Sequence, residues 1–377
     1  MVSTGLRGSG QTDPPLVFVG MDQLSELHNY KIFFENRNRT IYFKSPFNFS
    51  GATEILTEFE NSLFTIHSFS TVLLLSIYAP IFIIGLAGNI LIIVSVSADK
   101  AKKNKLYFMI NLALADLAVT VFCVPTSIGT IVYKLWVYGR FLCKFTVFIQ
   151  GVAVTVSIFS MMAMGIDRYI SLQYPATKYR LSSTPSQSFA MICCMWVVAA
   201  IFMGPLIYIR DIDTLNIPFL SDLTFCVEKW PQDRDRQAYG VFLLFVVFII
   251  PAFTIGVCYG HVGKALLKTD IQRVGSDNST QRLVYRKRAA RMIIILIVAF
   301  LLCWLPYNVI SALADLHNDP NISRALPFVL WLGHAHSAIN PAMYWSLNKR
   351  FRESIRGLVK SVRINHCTSE NTMAEYV

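Results

Sequence analysis

Seven stretches of about twenty nearly uncharged residues, each long enough to cross a bilayer as a helix, run through this chain. They lie at roughly 71–96, 106–132, 145–166, 189–209, 239–260, 290–313 and 325–347, and charge bounds each one. A hydrocarbon core offers no water to backbone N–H and C=O groups, so such segments must satisfy them internally as helices. A transmembrane barrel would show short alternating segments instead. The reading is an all-α membrane protein, a seven-transmembrane helix bundle followed by a short amphipathic eighth helix. Only 15% of the 377 residues are charged, against about a quarter in an ordinary soluble protein, which agrees with that class.

Orientation follows from the basic residues. Glu54, Glu58 and Glu60 precede the first run, while Lys100, Lys102, Lys103 and Lys105 follow it. Positive loops stay in the cytoplasm, so the N-terminus is expected outside and the C-terminus inside, in a multi-pass plasma-membrane protein. Segments assigned inside hold 21 basic and 7 acidic residues; those assigned outside hold 13 and 15. The net charge of +11 is thus a topology signal, and nucleic acid is not expected as a partner. The opening "MVSTGLRGSG" lacks the apolar core of a signal peptide, so the first span is expected to direct insertion.

Three parts are expected: an extracellular tail at 1–69, the bundle at 70–347, and a membrane-surface helix with a cytoplasmic tail at 348–377. In the last, Phe351, Ile355, Leu358 and Val359 share one face and basic residues the rest, the pattern of a helix lying on anionic lipid. Sequons at Asn38, Asn48 and Asn321 fall outside and are candidate glycosylation sites. Of eight cysteines, most lie in the spans and read as small packing residues. Cys143 and Cys226 both face the oxidising side, so a disulfide between them is expected. Cys367, beside basic residues in the inner tail, is a candidate for palmitoylation.

Asp116 is an acid in mid-span, and such a group marks function by default. Asp167 and Arg168 close the third run at its inner end; Cys143 and Arg168 are about 37 Å apart along a helix. Pro251, Pro306 and Pro341 each remove a backbone hydrogen bond and give a helix a hinge. Phe300 and Trp304, four residues apart, share a helix face and are expected to stack.

These marks occur in order: "GN" at 88–89, "LALAD" at 112–116, "WVYG" at 136–139, Asp167-Arg168-Tyr169, Trp196, Pro251 with Tyr259, "CWLP" at 303–306, and Asn340-Pro341 with Tyr344. Together they resemble the rhodopsin-like (class A) family of G-protein-coupled receptors. The resemblance implies a sodium ion near Asp116 and Ser157 and no other cofactor. It implies an activation switch built from Asp167, Arg168, Tyr169, Tyr259, Ile158, Pro251, Phe300, Pro306, Asn340, Pro341 and Tyr344. It also implies as partners a heterotrimeric G protein, arrestin, receptor kinases and membrane lipids.

Two departures stand out. Arg286 occupies the place where the family often has an acid that holds the triplet's arginine, so that ion pair cannot form. His336 stands where asparagine or serine is usual near the sodium site.

Gln150 takes the place of the acid that an amine receptor would need, and His334 that of the lysine an opsin would need. Gln150 with the loop at 225–240 is similar to the neuropeptide Y, RFamide and orexin group. That implies an extracellular, amidated, arginine-containing peptide bound by Gln150, Asp315, Tyr307, Asn308, His334, Glu228 and Trp304. The alternatives are a lipid or other non-peptide small molecule as ligand and, more remotely, a transporter or channel, which would commonly show repeats and broken helices. No metal-ligand cluster, nucleophile triad or phosphate loop suggests an enzyme.

Overall fold

The computed structural model describes residues 33–34, 41–42, 65–98, 107–173, 184–215, 223–258, 260–261, 277–317, 320–347, 351–353 and 355–357. In the outer tail, β1 (Phe33–Phe34) pairs antiparallel with β2 (Ile41–Tyr42). Seven long helices follow among the described residues: α1 (Phe69–Ala98), α2 (Tyr107–Tyr133), α3 (Gly139–Gln173), α4 (Pro185–Ile209), α5 (Arg234–Cys258), α6 (Asp277–His317) and α7 (Pro320–Leu347). Between α4 and α5 lies a hairpin, β3 (Arg210–Leu215) paired antiparallel with β4 (Leu223–Glu228).

The first six helices are long and apolar enough to cross a membrane on composition alone. The seventh, 28 residues long, is more polar because it carries His334, His336, Ser337 and Asn340, and all four are buried. A helix can afford such residues in a bilayer only by turning them into the bundle. Large apolar side chains such as Phe141, Phe189, Ile201, Phe253 and Leu302 instead stand exposed on the outside, as lipid-facing positions do. Cys193 and Cys194, expected as packing residues, are also exposed on α4, whereas Cys123, Cys258 and Cys303 are buried. The difference arises because α4 packs chiefly on α3 along one narrow face.

Local sequence explains the boundaries. Thr184 caps α4: its hydroxyl accepts from the Gln187 N–H, while the Gln187 side chain accepts from the Thr184 N–H. Pro185 at the first helical position loses no bond there. Helix α2 ends at Lys134, which adopts a left-handed conformation. The "WVYG" loop follows, where Gly139 has φ +75°, a backbone conformation costly for any side chain. Trp136 Nε1 donates to the Gly139 carbonyl at 2.7 Å, and the Trp136 N–H donates to Thr224 of β4. That loop therefore fastens the hairpin to the bundle.

Helices α2 and α5 each contain a π-helical segment, Val119–Cys123 and Leu244–Ile249. Such widened turns re-aim the side chains beyond them and occur often at functional sites. Beyond α7, Phe351 and Ile355 of the tail helix are buried in the main core. Arg352 donates to the carbonyls of Trp345 and Ser346 at 2.7 Å each, satisfying two of the last acceptors of α7.

Helix α7 packs against α6 and α1, and one glycine sets how closely. A Cβ on Gly88 would lie 2.5 Å from Pro341 Cβ and 2.7 Å from its Cγ. Gly88→Val should therefore wedge α1 from α7 and cost about 2–3 kcal/mol. A thermal unfolding curve of the purified variant checks this.

Candidate functional site

Among the described residues, two polar clusters stand out in the interior of the bundle. The outer one joins three helices. Tyr78 of α1, fully buried, has its hydroxyl 3.1 Å from His334 Nδ1 of α7, and His334 Nε2 is 3.4 Å from Gln150 Oε1 of α3. If the Gln150 oxygen accepts from Nε2–H, the other ring nitrogen accepts from the tyrosine, and the imidazole is neutral. Trp304 of α6 lies nearly perpendicular to His334 with ring centroids 6.4 Å apart, and Tyr307 stands edge-on to Trp304 at 6.2 Å. Asn308 donates to the Trp304 carbonyl at 2.7 Å, two residues beyond Pro306 in the same helix. Gln150, His334, Trp304 and Tyr307 are thus linked by contact, with Asn308 one turn further along α6 from Trp304. Tyr78 belongs to the same group and was not singled out from the sequence, where it and Phe82 are the two aromatics of the first run and nothing local marks either.

The hairpin lies over the outer end of α3, held by the Cys143–Cys226 disulfide. Its acids are already engaged. Arg140 makes two parallel bonds to Asp211, at 2.7 and 2.8 Å, and this hydrogen bonding holds the Asp211 carboxyl below its ordinary range. Lys229 lies 3.7 Å from Asp213. Glu228 pairs with Arg210, accepts from Trp230 Nε1 at 3.0 Å and faces Arg236 at 3.4 Å. Burial alone would raise the Glu228 carboxyl, but Arg210, Trp230 and Arg236 outweigh it and hold it below the usual range. Glu228 therefore sits in an internal ion cluster, whatever else it touches.

The deeper cluster centres on Asp116 of α2, which is buried. Asn340 Nδ2 donates to its Oδ2 at 2.6 Å, and His336 Nδ1 lies 3.6 Å from its Oδ1. Asn89 of α1 donates to the carbonyls of Gly85 and Ser337 at 2.8 and 2.9 Å, tying α1 to α7. Ser157 is buried on α3. Asn111 donates to Ser160 at 2.8 Å and accepts from Trp196 Nε1 at 2.8 Å, which links α2, α3 and α4.

Ile158 and Phe300 are fully buried in the central core, and Pro251 is buried too. Phe300 meets Phe248 at 5.8 Å and stands edge-on to His336 at 5.2 Å. The ring neighbours of Phe300 are therefore on α5 and α7, and those of Trp304 are Tyr307 on α6 and His334 on α7, where the sequence suggested that the two would stack on each other.

At the inner end, Asp167 is half-buried, the Tyr169 ring lies 5.6 Å from His261, and buried Tyr344 lies 6.5 Å from Phe351. Tyr259, Asn38, Asn48 and Cys367, and the side chains of Arg168, Arg286, Asp315 and Asn321, lie outside the described residues.

A seven-helix bundle with a disulfide-pinned outer hairpin, a polar floor beneath it and a buried acid at mid-depth defines a membrane receptor. The profile of the 7 transmembrane receptor (rhodopsin family) matches residues 88–344, and the chain belongs to that family. Its members are signalling receptors of the plasma membrane rather than enzymes. Among curated proteins the chain is 30% identical to the substance-P receptor of Aquarana catesbeiana, over 73% of this chain and 67% of that protein. It is 28% identical to a QRFP-like peptide receptor of Branchiostoma floridae, over 78% of each, and 28% identical to the human substance-P receptor, over 78% and 72%.

Proposed function

We propose that this chain is a receptor for an extracellular, amidated, arginine-containing neuropeptide and signals through a heterotrimeric G protein. The observation that carries the reading is the use of charge at the outer face. Asp211, Asp213 and Glu228 are matched by Arg140, Lys229, Arg210 and Arg236 within the hairpin region. The floor of Gln150, His334 and Tyr78 is built for hydrogen bonding. A neutral floor suits a terminal amide, and Asp315, near the outer end of α6, suits the arginine beside it. The relatives are, by their names, peptide receptors, which supports the same class of ligand.

In this reading the peptide binds more tightly to the bundle with its sixth helix swung outward, and so shifts the population toward that state. The hinge is Pro306, and the relay is Trp304, Phe300, Ile158 and Pro251. The inner cleft that opens is lined by Arg168, Tyr259 and Tyr344, where a G-protein helix docks. The basic inner loops then face the partner's acidic surface and lipid headgroups, and arrestin and receptor kinases would use the same face.

The test is a second-messenger response to a panel of amidated peptides, with wild type beside Asp315→Ala. Truncating one partner of a desolvated charged pair typically costs about 2–5 kcal/mol. A tenfold change corresponds to about 1.4 kcal/mol, so the half-maximal concentration should rise by about 30-fold or more for arginine-containing peptides. An unchanged potency, or activation by lipid extracts alone, would instead favour a non-peptide ligand.

A further inference from the structure

We propose that the Asp116 site, which in the fold family implies a sodium ion, is closed in this chain by its own side chains, with His336 standing where the ion would. A hard cation takes oxygen ligands at about 2.3–2.6 Å. Asp116 Oδ1 and His336 Nδ1 are only 3.6 Å apart. An ion held at that distance from Oδ1 on this side would be pressed against the imidazole. Imidazole nitrogen suits transition metals rather than hard cations.

The other carboxylate oxygen is also taken. Asn340 presents its amide nitrogen to Oδ2 at 2.6 Å, which turns its own carbonyl away from the carboxylate. With the nitrogen arm of the amide facing Oδ2, the carbonyl arm points elsewhere and does not converge with Asp116 on a shared ion. His336 cannot readily turn aside. Its side chain is 3% exposed, and Phe300 stands edge-on to its ring at 5.2 Å. The imidazole therefore spans from the acid of α2 to the aromatic relay of α6, a bridge that a free ion would not make.

The consequence is a receptor whose resting state is indifferent to sodium. The experiment uses the purified full-length chain in detergent and follows thermal unfolding by tryptophan fluorescence. Sodium chloride at about 0.15 M is compared with N-methylglucamine chloride at equal ionic strength. Wild type should unfold at the same temperature in both. His336→Asn, which replaces the imidazole with an oxygen donor, should gain a sodium-specific rise of about 2–4 °C. Adding Asp116→Asn to it should remove that gain.

A sodium-specific rise in wild type itself, lost in Asp116→Asn, would overturn the proposal. So would His336→Asn that folds and shows no sodium response. If that variant does not fold, His336→Ser provides the same oxygen donor, and the comparison of wild type with Asp116→Asn decides alone. No agonist enters the assay, so its result is independent of the peptide reading.

Discussion

Replacing Cys143 and Cys226 together by alanine should abolish the response to any agonist that reaches the bundle's outer mouth and should lower the unfolding temperature by many degrees. Cys143 is fully buried at the start of α3, and Cys226 pairs with Ile212 in the middle of the hairpin. Their bond closes a loop with a sequence separation of 83. By the loop-entropy argument such a crosslink contributes about 4–5 kcal/mol, a ceiling here because helices held in a bilayer already restrict the unfolded chain. Two backbone bonds, Trp136 N–H to Thr224 and Lys229 N–H to Ile209, and the solvent-exposed Arg140–Asp211 pair would remain. Each backbone bond is worth about 1 kcal/mol net and an exposed pair adds little, too little to keep two strands seated over the mouth. The check is paired: surface expression by antibody against an N-terminal tag, and second-messenger response per surface receptor. Mild reductant should reproduce the loss in wild type. A response that survives at full potency would mean that the hairpin's position is set elsewhere.

The helical part of this architecture could be read in the sequence because the bilayer leaves so few alternatives. An apolar run such as 71–96 has no other way to satisfy its backbone, and Cys143 and Cys226 are the pair that compartment and position set apart. The departures have equally definite causes. Strand β3 continues directly from α4 at Arg210, and nothing in "IYIRDIDTL" marks the change, because the partner strand begins only at Leu223. Arg210 reads as an exposed charge after a span, yet it is 4% exposed. Its burial makes sense only once Glu228 is brought across the hairpin. The π-helical turns in α2 and α5 have no local signature, since they answer to packing between helices. Tyr78 shows the same limit: its role comes from His334, far away in sequence on α7.

Glu228 gives the sharper test of whether the outer acids serve the ligand or the fold. Glu228→Ala deprives the buried Arg210 side chain, 5% exposed, of its carboxylate partner. Removing one member of a buried pair costs about 3–5 kcal/mol, whereas replacing both members with apolar residues of similar size is often near neutral. Glu228→Ala should therefore unfold at markedly lower temperature, and Arg210→Met with Glu228→Met should recover most of that loss. The agonist response separates the two roles. A response restored in the double variant means that the carboxylate holds the hairpin; one that stays absent while stability returns means that it meets the ligand. Acidity gives an independent reading. The Glu228 carboxyl is held below its usual range in the folded chain, so its contribution is complete above the unfolded value of about 4.3 and is lost as pH falls through the lower folded value. Between neutral pH and about 5.5 this cluster should leave the unfolding temperature unchanged. A decline should begin only in more acidic solution, and Glu228→Ala should lack that component.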